Sequence, residues 1–320
     1  MLTYKDSGVN IQKANILTNI IKETVRNNNI GMFAGLFEHP VLNDYYIAAA
    51  TDGIGSKIIP LIDNNMPECI SKDLIAMCLN DLICTGAAPL FFLDYIATNK
   101  LEVEFISKVI SYLNKNLAEY NCILLGGETS ELKDLISERY FDIAGFAIGL
   151  VNKKSVLRKE NVKENDIIIG LASNGIHSNG FTLIRKLYKQ ELITKEELIS
   201  TLKPTDIYVK EIIELNNKNL IHTCANITGG GIIDNMKRII PDNLCALLNQ
   251  KSIPEQEIFN KIEKIIGYDE AYKTFNMGCG FCIIAPSENK DKIKEICKKF
   301  NPFEFGVVVK NDQNCNICFR

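Results

Sequence analysis

The stretch Thr51-Asp52-Gly53-Ile54-Gly55-Ser56-Lys57 is the most informative part of this chain. Two shorter stretches have the same character, namely Asn80-Asp81 and Gly126-Gly127-Glu128-Thr129. Each places a carboxylate beside a flexible turn or inside a helix, and the first stretch also supplies a lysine. Phosphoryl chemistry depends mainly on positioning and on neutralising negative charge, and carboxylate oxygens suit Mg²⁺. The three stretches therefore predict a site for magnesium and the phosphates of a nucleotide.

The usual phosphate-binding loops of nucleotide enzymes are absent from the sequence. No Gly-x4-Gly-Lys-Ser/Thr stretch occurs, and no Gly-x-Gly-x-x-Gly follows a predicted strand. A protein of this sequence that handles ATP must therefore use a different scaffold.

Length and composition predict an enzyme-sized globular protein with two domains. The chain has 320 residues, of which 46% are hydrophobic, and its formal net charge is -3. That charge, without a long Lys/Arg cluster, argues against a nucleic-acid partner. No apolar run approaches the roughly 18 residues of a membrane-spanning helix, and the residues after Met1 lack the pattern of a signal peptide. We therefore expect no membrane association, and a cytoplasmic protein whose 11 cysteines are reduced thiols.

Apolar patterns predict strands and helices mixed through both halves, which is typical of an α/β or α+β architecture. In the first half, strands are predicted at 45–50, 90–97, 123–125 and 141–151, with helices after an N-cap at Ser71 and over 103–117. The polar stretch 152–165 predicts a junction between domains 1–155 and 156–320. In the second half, strands are predicted at 167–171, 281–285 and 306–309, with helices at 183–188 and 232–239.

Three acidic residues in the first half are candidate metal ligands. Asp81 lies beside Asn80 in an apolar helix, where a carboxylate without a partner is costly to bury. Glu128 is predicted to lie in a turn, after two glycines that follow the strand 123–125, and α/β proteins tend to place ligands at such strand ends. Asp52 is predicted to lie in the turn after the strand 45–50, and its alternative interpretation is an ordinary turn former before glycine. The alternative for Lys57 is a solvated surface lysine.

Two loops in the second half are candidate ligand-binding segments. His177 lies in the polar, glycine-bounded loop 173–180, so we expect its side chain to face a ligand. Thr228-Gly229-Gly230-Gly231 precedes a predicted helix and can cradle a phosphate on backbone N–H groups. The alternative for this second segment is an ordinary loop before a helix, without a ligand.

Two Cys-x-x-Cys pairs, Cys279/Cys282 and Cys315/Cys318, match zinc ligands in spacing alone. The stretch between the pairs is longer than in a usual zinc ribbon, and the run 281–285 is typical of a buried strand. We therefore favour core or terminal thiols over a zinc site.

The order of these motifs resembles the aminoimidazole ribonucleotide synthetase family, also called the phosphoribosylformylglycinamidine cyclo-ligases. The Phe-Phe-Leu-Asp-Tyr and His-Ser-Asn-Gly elements of this chain are particular to that family. The Asp-Gly-x-Gly-Ser/Thr-Lys and Asn-Asp elements are shared with selenophosphate synthetase and thiamine-monophosphate kinase. The stretches that carry the resemblance are 4–9, 51–57, 73–82, 86–95, 126–129, 177–180, 228–231 and 274–278.

The resemblance implies two α/β domains, the first of which pairs with its copy in a homodimer to form a β-barrel. It implies ATP-driven ring closure of formylglycinamidine ribonucleotide to aminoimidazole ribonucleotide in purine biosynthesis, with release of ADP and phosphate. ATP would phosphorylate the formyl oxygen, after which the neighbouring nitrogen attacks that carbon and expels phosphate.

The resemblance also implies roles for individual residues. The expected magnesium ligands are Asp52, Asn80, Asp81 and Glu128. The expected ATP site comprises Lys5, Asp52, Gly53, Lys57, Asn80, Asp81, Gly127, Glu128 and Thr129. The expected substrate site comprises His177, Ser178, Asn179, Thr228, Gly229, Gly230 and Gly231. Of the expected catalytic residues Lys57, His177 and Asp81, the lysine would neutralise the transferred phosphoryl group and the histidine would orient substrate or move a proton.

The chain departs from the family pattern at two places and leaves alternatives open. Residues 130–136 replace the family's usual Ala-Glu-Met-Pro-Gly-Met-Tyr, and Asn226 stands where the family tends to have histidine. Neither change touches the predicted metal ligands. The alternatives are another ATP-dependent phosphoryl-transfer enzyme of the same scaffold, like selenophosphate synthetase or thiamine-monophosphate kinase, and a nucleotide-binding subunit without activity.

Overall fold

The structure, a computed structural model, describes residues 32–311 and 315–319, together with residues 16, 17, 20, 21, 23 and 24. Lys5, a predicted ATP contact, lies outside the described residues. The described chain forms two β-sheets with helices packed against them, so the predicted mixed α/β fold class is confirmed. The sheets occupy residues 35–152 and 167–319, and the domain boundary between 155 and 156 stays a prediction.

The first sheet has five strands in the order β1-β2-β5-β3-β4. Its strands are β1 (Gly35–Glu38), β2 (Tyr45–Gly53), β3 (Ala88–Thr98), β4 (Ile123–Glu131) and β5 (Phe141–Asn152). Its helices are α1 (Ile58–Asp63), α2 (Pro67–Ile83) and α3 (Val103–Ala118). Strands β3 and β4 are parallel, whereas the other pairs are antiparallel. Parallel neighbours need a long crossover, and α3 supplies it.

The second sheet has six strands in the order β11-β8-β10-β6-β9-β7. Its strands are β6 (Ile167–Ala172), β7 (Thr223–Asn226), β8 (Leu244–Leu248), β9 (Cys279–Ala285), β10 (Pro302–Lys310) and β11 (Ile317–Phe319). Its helices are α4 (Phe181–Lys189), α5 (Lys195–Ser200), α6 (Val209–Asn217), α7 (Gly231–Lys237), α8 (Glu257–Ile266), α9 (Tyr268–Thr274) and α10 (Lys290–Ile296).

Both faces of the second sheet are buried. Ile169 and Ile283 belong to an apolar core that continues into the first domain, whereas Ile168 and Ile284 pack in a second cluster on the other face. Strands that are buried on both faces carry continuous apolar runs rather than alternating ones, which explains the patterns at 167–171 and 281–285.

Three local predictions are wrong. Ser71 is not an N-cap, because α2 begins at Pro67 and buries Ser71, whose Oγ lies 3.2 Å from Asn116 Nδ2. The stretch 126–129 is not a turn but part of β4, and Asp52 lies in β2 rather than in the turn after it. Strand pairing overrides the local preference of glycine and aspartate for turns in both cases.

Helix α2 is buried on most of its surface, because it lies between the first sheet and the second domain. It packs against β2 and β5 on one side and against α6 and β7 on the other. Two of its buried residues, Asp73 and Asn80, are polar and fully inaccessible to solvent. Buried polar groups are costly unless they are hydrogen-bonded, so both side chains require partners.

Asp73 and Asn80 find those partners in the segment 203–208 of the second domain. Asp73 Oδ1 accepts hydrogen bonds from the N–H and the hydroxyl of Thr205, both at 2.7 Å. Asn80 Oδ1 accepts from the N–H of Tyr208 at 3.1 Å, and its Nδ2 donates to the carbonyl of Asp206 at 2.8 Å. Residues seven apart share one face of a helix, so a single face of α2 fixes this segment.

Lys57 completes the same contact. Its Nζ lies 2.8 Å from Asp73 Oδ2 and 3.0 Å from Oδ1, and it donates to the carbonyl of Lys203 at 2.7 Å. Both charged side chains are fully buried. Burial lowers the pKa of Lys57, and the Asp73 charge opposes that shift. The ion pair therefore depends on having both partners in place.

Removing the Asp73 carboxylate is expected to destabilise the fold. Asp73→Ala leaves the Lys57 ammonium buried without a counter-charge, which should lower the free energy of unfolding by about 3–5 kcal/mol in chemical denaturation. The double variant Lys57→Met/Asp73→Ala should recover part of that loss. Lys72→Ala is the matched control, because its ion pair with Glu68 is exposed and is worth at most about 1 kcal/mol. Equal losses in Asp73→Ala and Lys72→Ala would contradict this account.

Candidate active site

One row of residues across the first sheet carries two carboxylates on the face that α2 covers. Asp52 of β2 pairs with Gly145 of β5, Gly145 pairs with Asp94 of β3, and Asp94 pairs with Gly127 of β4. A Cβ on Gly145 would lie 2.8 Å from the Sγ of Cys78 in α2, so this row faces the helix. Side chains in one row point to the same face, so the Asp52 and Asp94 carboxylates flank the central glycine.

Asp81 of α2 brings a third carboxylate to this region. Its Oδ1 accepts a hydrogen bond from Asn226 Nδ2 at 2.8 Å, so the expectation that the departure at Asn226 touches no predicted metal ligand is wrong. Asn226 is the last residue of β7, so this bond joins the first domain to the second sheet. Cys78, one turn before Asp81 in α2, donates its thiol to the carbonyl of Asp52 at 3.6 Å, so this part of the helix lies against Asp52.

Burial raises the pKa of all three carboxyls. It brings the pKa of Asp81 to about 7, with the Asn226 hydrogen bond opposing the shift and the Asp52 charge adding to it. Burial brings the pKa of Asp52 to about 6, although the hydrogen bond from the Gly53 N–H lowers this pKa. It also brings the pKa of Asp94 to about 6. Carboxylates that are costly to ionise in the free protein gain from a bound cation.

Asp94 is a site residue that the sequence-based predictions missed. It was visible as the acidic residue of Phe91-Phe92-Leu93-Asp94-Tyr95, an otherwise apolar run. The pattern predicted a strand, but only the register shows that Asp94 shares a row with Asp52.

Asp52 and Asp81 fit a magnesium site in the chemistry of their donor atoms. Magnesium usually takes one or two protein carboxylates and fills its remaining positions with water and phosphate oxygens. Within the described ranges, no group of three or more His, Cys, Asp or Glu side chains has the geometry to hold a metal ion. A pair of carboxylates completed by phosphate oxygens therefore fits better than a site made of protein ligands alone.

Gly127 leaves room for the Asp94 carboxylate, and its neighbour Gly126 supplies a matched control. A Cβ on Gly127 would lie 2.3 Å from Asp94 Oδ1, whereas the nearest atom to a Cβ on Gly126 is Leu93 Cδ2 at 4.0 Å. We expect Gly127→Ala to lower the free energy of unfolding by about 1–3 kcal/mol, because the carboxylate or the strand must move. Gly126→Ala should cost much less, and equal effects in urea denaturation would contradict the row described above.

Neutralising Asp81 is expected to stabilise the metal-free protein. The folded-state pKa of Asp81 is about 7, whereas its ordinary value is 3.8. The contribution of Asp81 to the free energy of unfolding is therefore fully present below about pH 3.8 and is lost as pH rises through about 7. Asp81→Asn keeps an oxygen for Asn226 and should raise Tm in a chelating buffer by a few degrees at pH 8, and by less at pH 5. Asp242→Asn, at an exposed turn, should change Tm at neither pH. A lower Tm of Asp81→Asn at pH 8 would overturn this expectation.

Lys57 and Asn80 do not project into an open site. Lys57 is fully buried against Asp73, and both ends of the Asn80 amide bind the segment 203–208. Asn80 immediately precedes Asp81, so its bonds to the segment fix the turn of α2 that carries the Asp81 carboxylate. In this structure both residues hold other groups in place rather than presenting a free donor atom.

Glu128 lies on the opposite face of the first sheet from Asp52 and Asp94. Its register partner is Tyr95, the residue after Asp94, and successive strand residues point to opposite faces. The structure therefore does not bring the exposed Glu128 to the Asp52–Asp81 pair. Gly53 follows Asp52 in β2 and falls on the Glu128 side, whereas Thr129 lines a groove beside α3.

His177 is buried rather than open to a cleft. Only 2% of its surface is exposed, and its backbone is left-handed with φ of 59°. Its Nε2 lies 3.7 Å from Asp206 Oδ2 without a hydrogen bond. The adjacent Ser178 Oγ lies 2.9 Å from Thr205 Oγ1, so the loop is tied to the same segment that α2 fixes.

The second-domain loops with the predicted substrate contacts are neighbours. A Cβ on Gly229 would lie 3.5 Å from Asn179 Oδ1. Asn235 Nδ2 donates to the carbonyls of Thr228, Gly229 and Gly231 at 3.3, 3.3 and 2.8 Å, which fixes the turn. The loop begins two residues after Asn226, the partner of Asp81, so the acidic site and the glycine loop meet at the end of β7.

Two family models match this chain. The AIR synthase related protein N-terminal domain matches residues 34–151, and the C-terminal domain of the same name matches residues 163–314. The phosphoribosylformylglycinamidine cyclo-ligase of Clostridium acetobutylicum is 39% identical over 96% of this chain and 97% of its own length. The chain belongs to the AIR synthase related family. The cyclo-ligase of Clostridium botulinum (strain Loch Maree) is 36% identical over 99% of this chain and 100% of its own length, and the resemblance stated from the motifs is confirmed.

Solved structures with the same fold are more distant in sequence. Thiamine monophosphate kinase from Aquifex aeolicus superposes with a TM-score of 0.67 at 16% identity, over 97% of this chain and 98% of its own. Hydrogenase maturation protein HypE in complex with ATP superposes with a TM-score of 0.66 at 16% identity, over 92% and 87%. At that identity, the likeness establishes the shared fold alone.

The cysteines are all free thiols. Cys279 and Cys282 are fully buried, with their sulfur atoms 3.5 Å apart, and neither Cys-x-x-Cys pair belongs to a described cluster that could hold a metal ion. In the part of the chain that the structure describes, no helix has the length and apolar character needed to cross a bilayer.

Proposed function

We propose that this chain catalyses the ATP-dependent ring closure of formylglycinamidine ribonucleotide to aminoimidazole ribonucleotide, with release of ADP and phosphate. The observation that carries the proposal is identity of 35–39% to phosphoribosylformylglycinamidine cyclo-ligases over nearly the full length of both chains. The thiamine monophosphate kinase shares the fold at only 16% identity. The proposal therefore favours the cyclo-ligase over other phosphoryl-transfer enzymes of this scaffold.

Asp52 and Asp81 are our proposed magnesium ligands, with Asp94 beside them on the same side of the sheet. The raised pKa values of these carboxyls support this assignment, because a bound cation favours their ionised form. Magnesium, when bound, supplies positive charge to the phosphates of ATP. Asn226 orients Asp81 through its amide, which does not titrate in the neutral range.

Lys57 and Asn80 act in this proposal as positioning residues. Their bonds to Asp73 and to the segment 203–208 support that role. Glu128 and Gly53 lie on the uncovered face of the sheet, so a contact between either residue and ATP would occur at the proposed dimer interface. Lys5 remains a proposed ATP contact on the basis of the family resemblance alone.

The loops around Asn179 and Gly229 are our proposed substrate contacts. The backbone N–H groups of the glycine turn can donate to the phosphate of the ribonucleotide, because Asn235 already binds three of the carbonyls in that segment. His177 lies behind this surface and within reach of Asp206, so its proposed role is to orient the loop and the substrate, rather than to meet ATP.

We propose a homodimer that covers the bare face of the first sheet. Large apolar side chains are exposed on its strands: Phe37 is 64% exposed, Leu125 63%, Leu90 45%, Phe146 39% and Tyr95 36%. Exposed apolar surface of this extent is typical of a protein interface. Free thiols at all 11 cysteines support a reducing compartment, which we propose is the cytoplasm.

The decisive experiment supplies purified protein with ATP, magnesium and formylglycinamidine ribonucleotide, and detects the aminoimidazole product. We expect product from the natural sequence, and at least about a 100-fold lower kcat from Asp81→Asn, because it removes a charge that binds the ion. The magnesium dependence of the remaining rate should also weaken. Asp242→Asn is the control and should retain full activity.

One outcome would count against the proposed reaction, and another against the proposed magnesium site. ADP formation with thiamine monophosphate, without aminoimidazole product, would favour a kinase of the same scaffold. Full activity of Asp81→Asn would instead leave the reaction in place and show that the ion binds elsewhere.

A further inference from the structure

Three cysteines that the proposed function does not use line one surface cavity at the edge of the second sheet. The cavity has a volume of about 340 Å³, and Cys245, Cys315 and Cys318 all line it. Cys315 is exposed, Cys318 is half-buried, and only 6% of Cys245 is exposed. The cavity therefore contains thiols at three different depths, with the sulfur of Cys315 outermost.

The strand register explains why these thiols are close together. Strand β11 runs parallel to β8, with Cys318 opposite Leu247. Cys245 lies two residues before Leu247 and on the same face, because strand side chains repeat every second residue. The Cys318 thiol shares one cavity with Cys315 and Cys245, and both of these neighbours raise its pKa. Tertiary pairing thus places Cys245 beside a Cys-x-x-Cys pair that is distant in sequence.

Two local hydrogen bonds hold Cys315 in place. Its N–H donates to Asn311 Oδ1 at 3.0 Å, and its thiol donates to the carbonyl of Ile317 at 2.9 Å. These bonds fix Cys315 just before β11, where it lines the same cavity as Cys318.

The second Cys-x-x-Cys pair of the chain shows that proximity alone does not make a reactive site. Cys279 and Cys282 have sulfur atoms 3.5 Å apart, but both residues are completely buried in β9. A dissolved reagent cannot reach them without local unfolding. Cys315 and Cys318 line one surface cavity, and this access distinguishes the two pairs.

The cavity is suited to a small polar thiol compound. Its rim carries Lys310 and Glu164, whose charged atoms lie 3.8 Å apart, together with the amide of Asn311. Its size falls within the range of small-molecule pockets, which begins at about 300 Å³. The charged and amide groups can bind the ends of a zwitterionic, peptide-like molecule, while Leu247 and Val309 give the cavity an apolar wall.

We propose that Cys315 and Cys318 form a thiol–disulfide exchange site for low-molecular-weight disulfides. The Cys315 thiolate attacks one sulfur of the external disulfide, forms a mixed disulfide and releases one thiolate. The Cys318 sulfur then attacks Cys315 Sγ and expels the second thiolate, which leaves a Cys315–Cys318 disulfide. Two protein thiols are oxidised, one external disulfide is reduced to two thiols, and the two protein protons go to the released thiolates.

The order of attack follows from the surroundings of the two sulfur atoms. The neighbouring Cys315 side chain, followed by burial, raises the pKa of the Cys318 thiol to about 12. Cys318 therefore keeps its proton at neutral pH, while Cys315 is the exposed sulfur that meets the reagent first. Once Cys315 is in a mixed disulfide, it is no longer a thiol neighbour of Cys318, so the main cause of the raised Cys318 pKa is removed and the second step becomes accessible.

The test treats the full-length protein with oxidised glutathione and maps the products by mass spectrometry of a proteolytic digest. We expect a Cys315–Cys318 disulfide that dithiothreitol reverses, with Cys279 and Cys282 still reduced in the same digest as an internal control. Cys318→Ser should accumulate glutathione on Cys315, because the second step is blocked. Cys315→Ser should abolish oxidation of Cys318.

Three results would overturn the proposal. They are a reduced Cys315 after treatment that oxidises other thiols, a Cys245–Cys318 disulfide as the main product, and absence of the glutathione adduct in Cys318→Ser. Cys315 is exposed, so its serine variant should fold normally, and an unchanged circular dichroism spectrum verifies this. The cyclo-ligase assay is not part of this test, so the two proposals succeed or fail separately.

Discussion

The buried contact between Lys57, Asp73 and the segment 203–208 is the constraint on which the rest of the structure depends. The charges of Lys57 and Asp73 are tolerated inside the protein because each also binds a backbone group of the second domain. Their directional bonds allow one register of α2 against that segment. Two turns further along α2, this register sets Asp81 opposite Asn226. The position of the candidate site is therefore a consequence of a contact that is remote from its chemistry.

The sequence predicted those elements whose stability comes from burial, and it missed those set by distant partners. The apolar runs of β3, β5, β6 and β9 were recognisable because each strand is long and strongly hydrophobic. Gly127 was assigned to a turn, since nothing near it in the sequence shows that the Asp94 carboxylate needs its space. Lys57 follows glycine and serine, which gives no sign that its counter-charge belongs to a buried helix.

The candidate site is a place where function opposes stability. Asp52, Asp81 and Asp94 resist ionisation in the free protein, so neutral residues at these positions would give a more stable fold. Active sites often keep such unfavourable groups because the ligand relieves them. The same burial that raises these pKa values also excludes water and strengthens the attraction between a carboxylate and a cation. The sequence predicts the acidic residues Asp52 and Asp81 as site residues. The packing around them shows that their ionised forms destabilise the fold.

The apolar core that runs from α2 into the second sheet limits how the two halves can move and fold. One face of that sheet and the first domain share a continuous set of buried side chains, including Leu79, Tyr208 and Phe281. A hinge between the halves would open this interior to water, so substrate entry must rely on loops rather than on rotation of whole domains. The same continuity means that the halves should melt in one cooperative transition, and that either half expressed alone would expose its share of the core and aggregate.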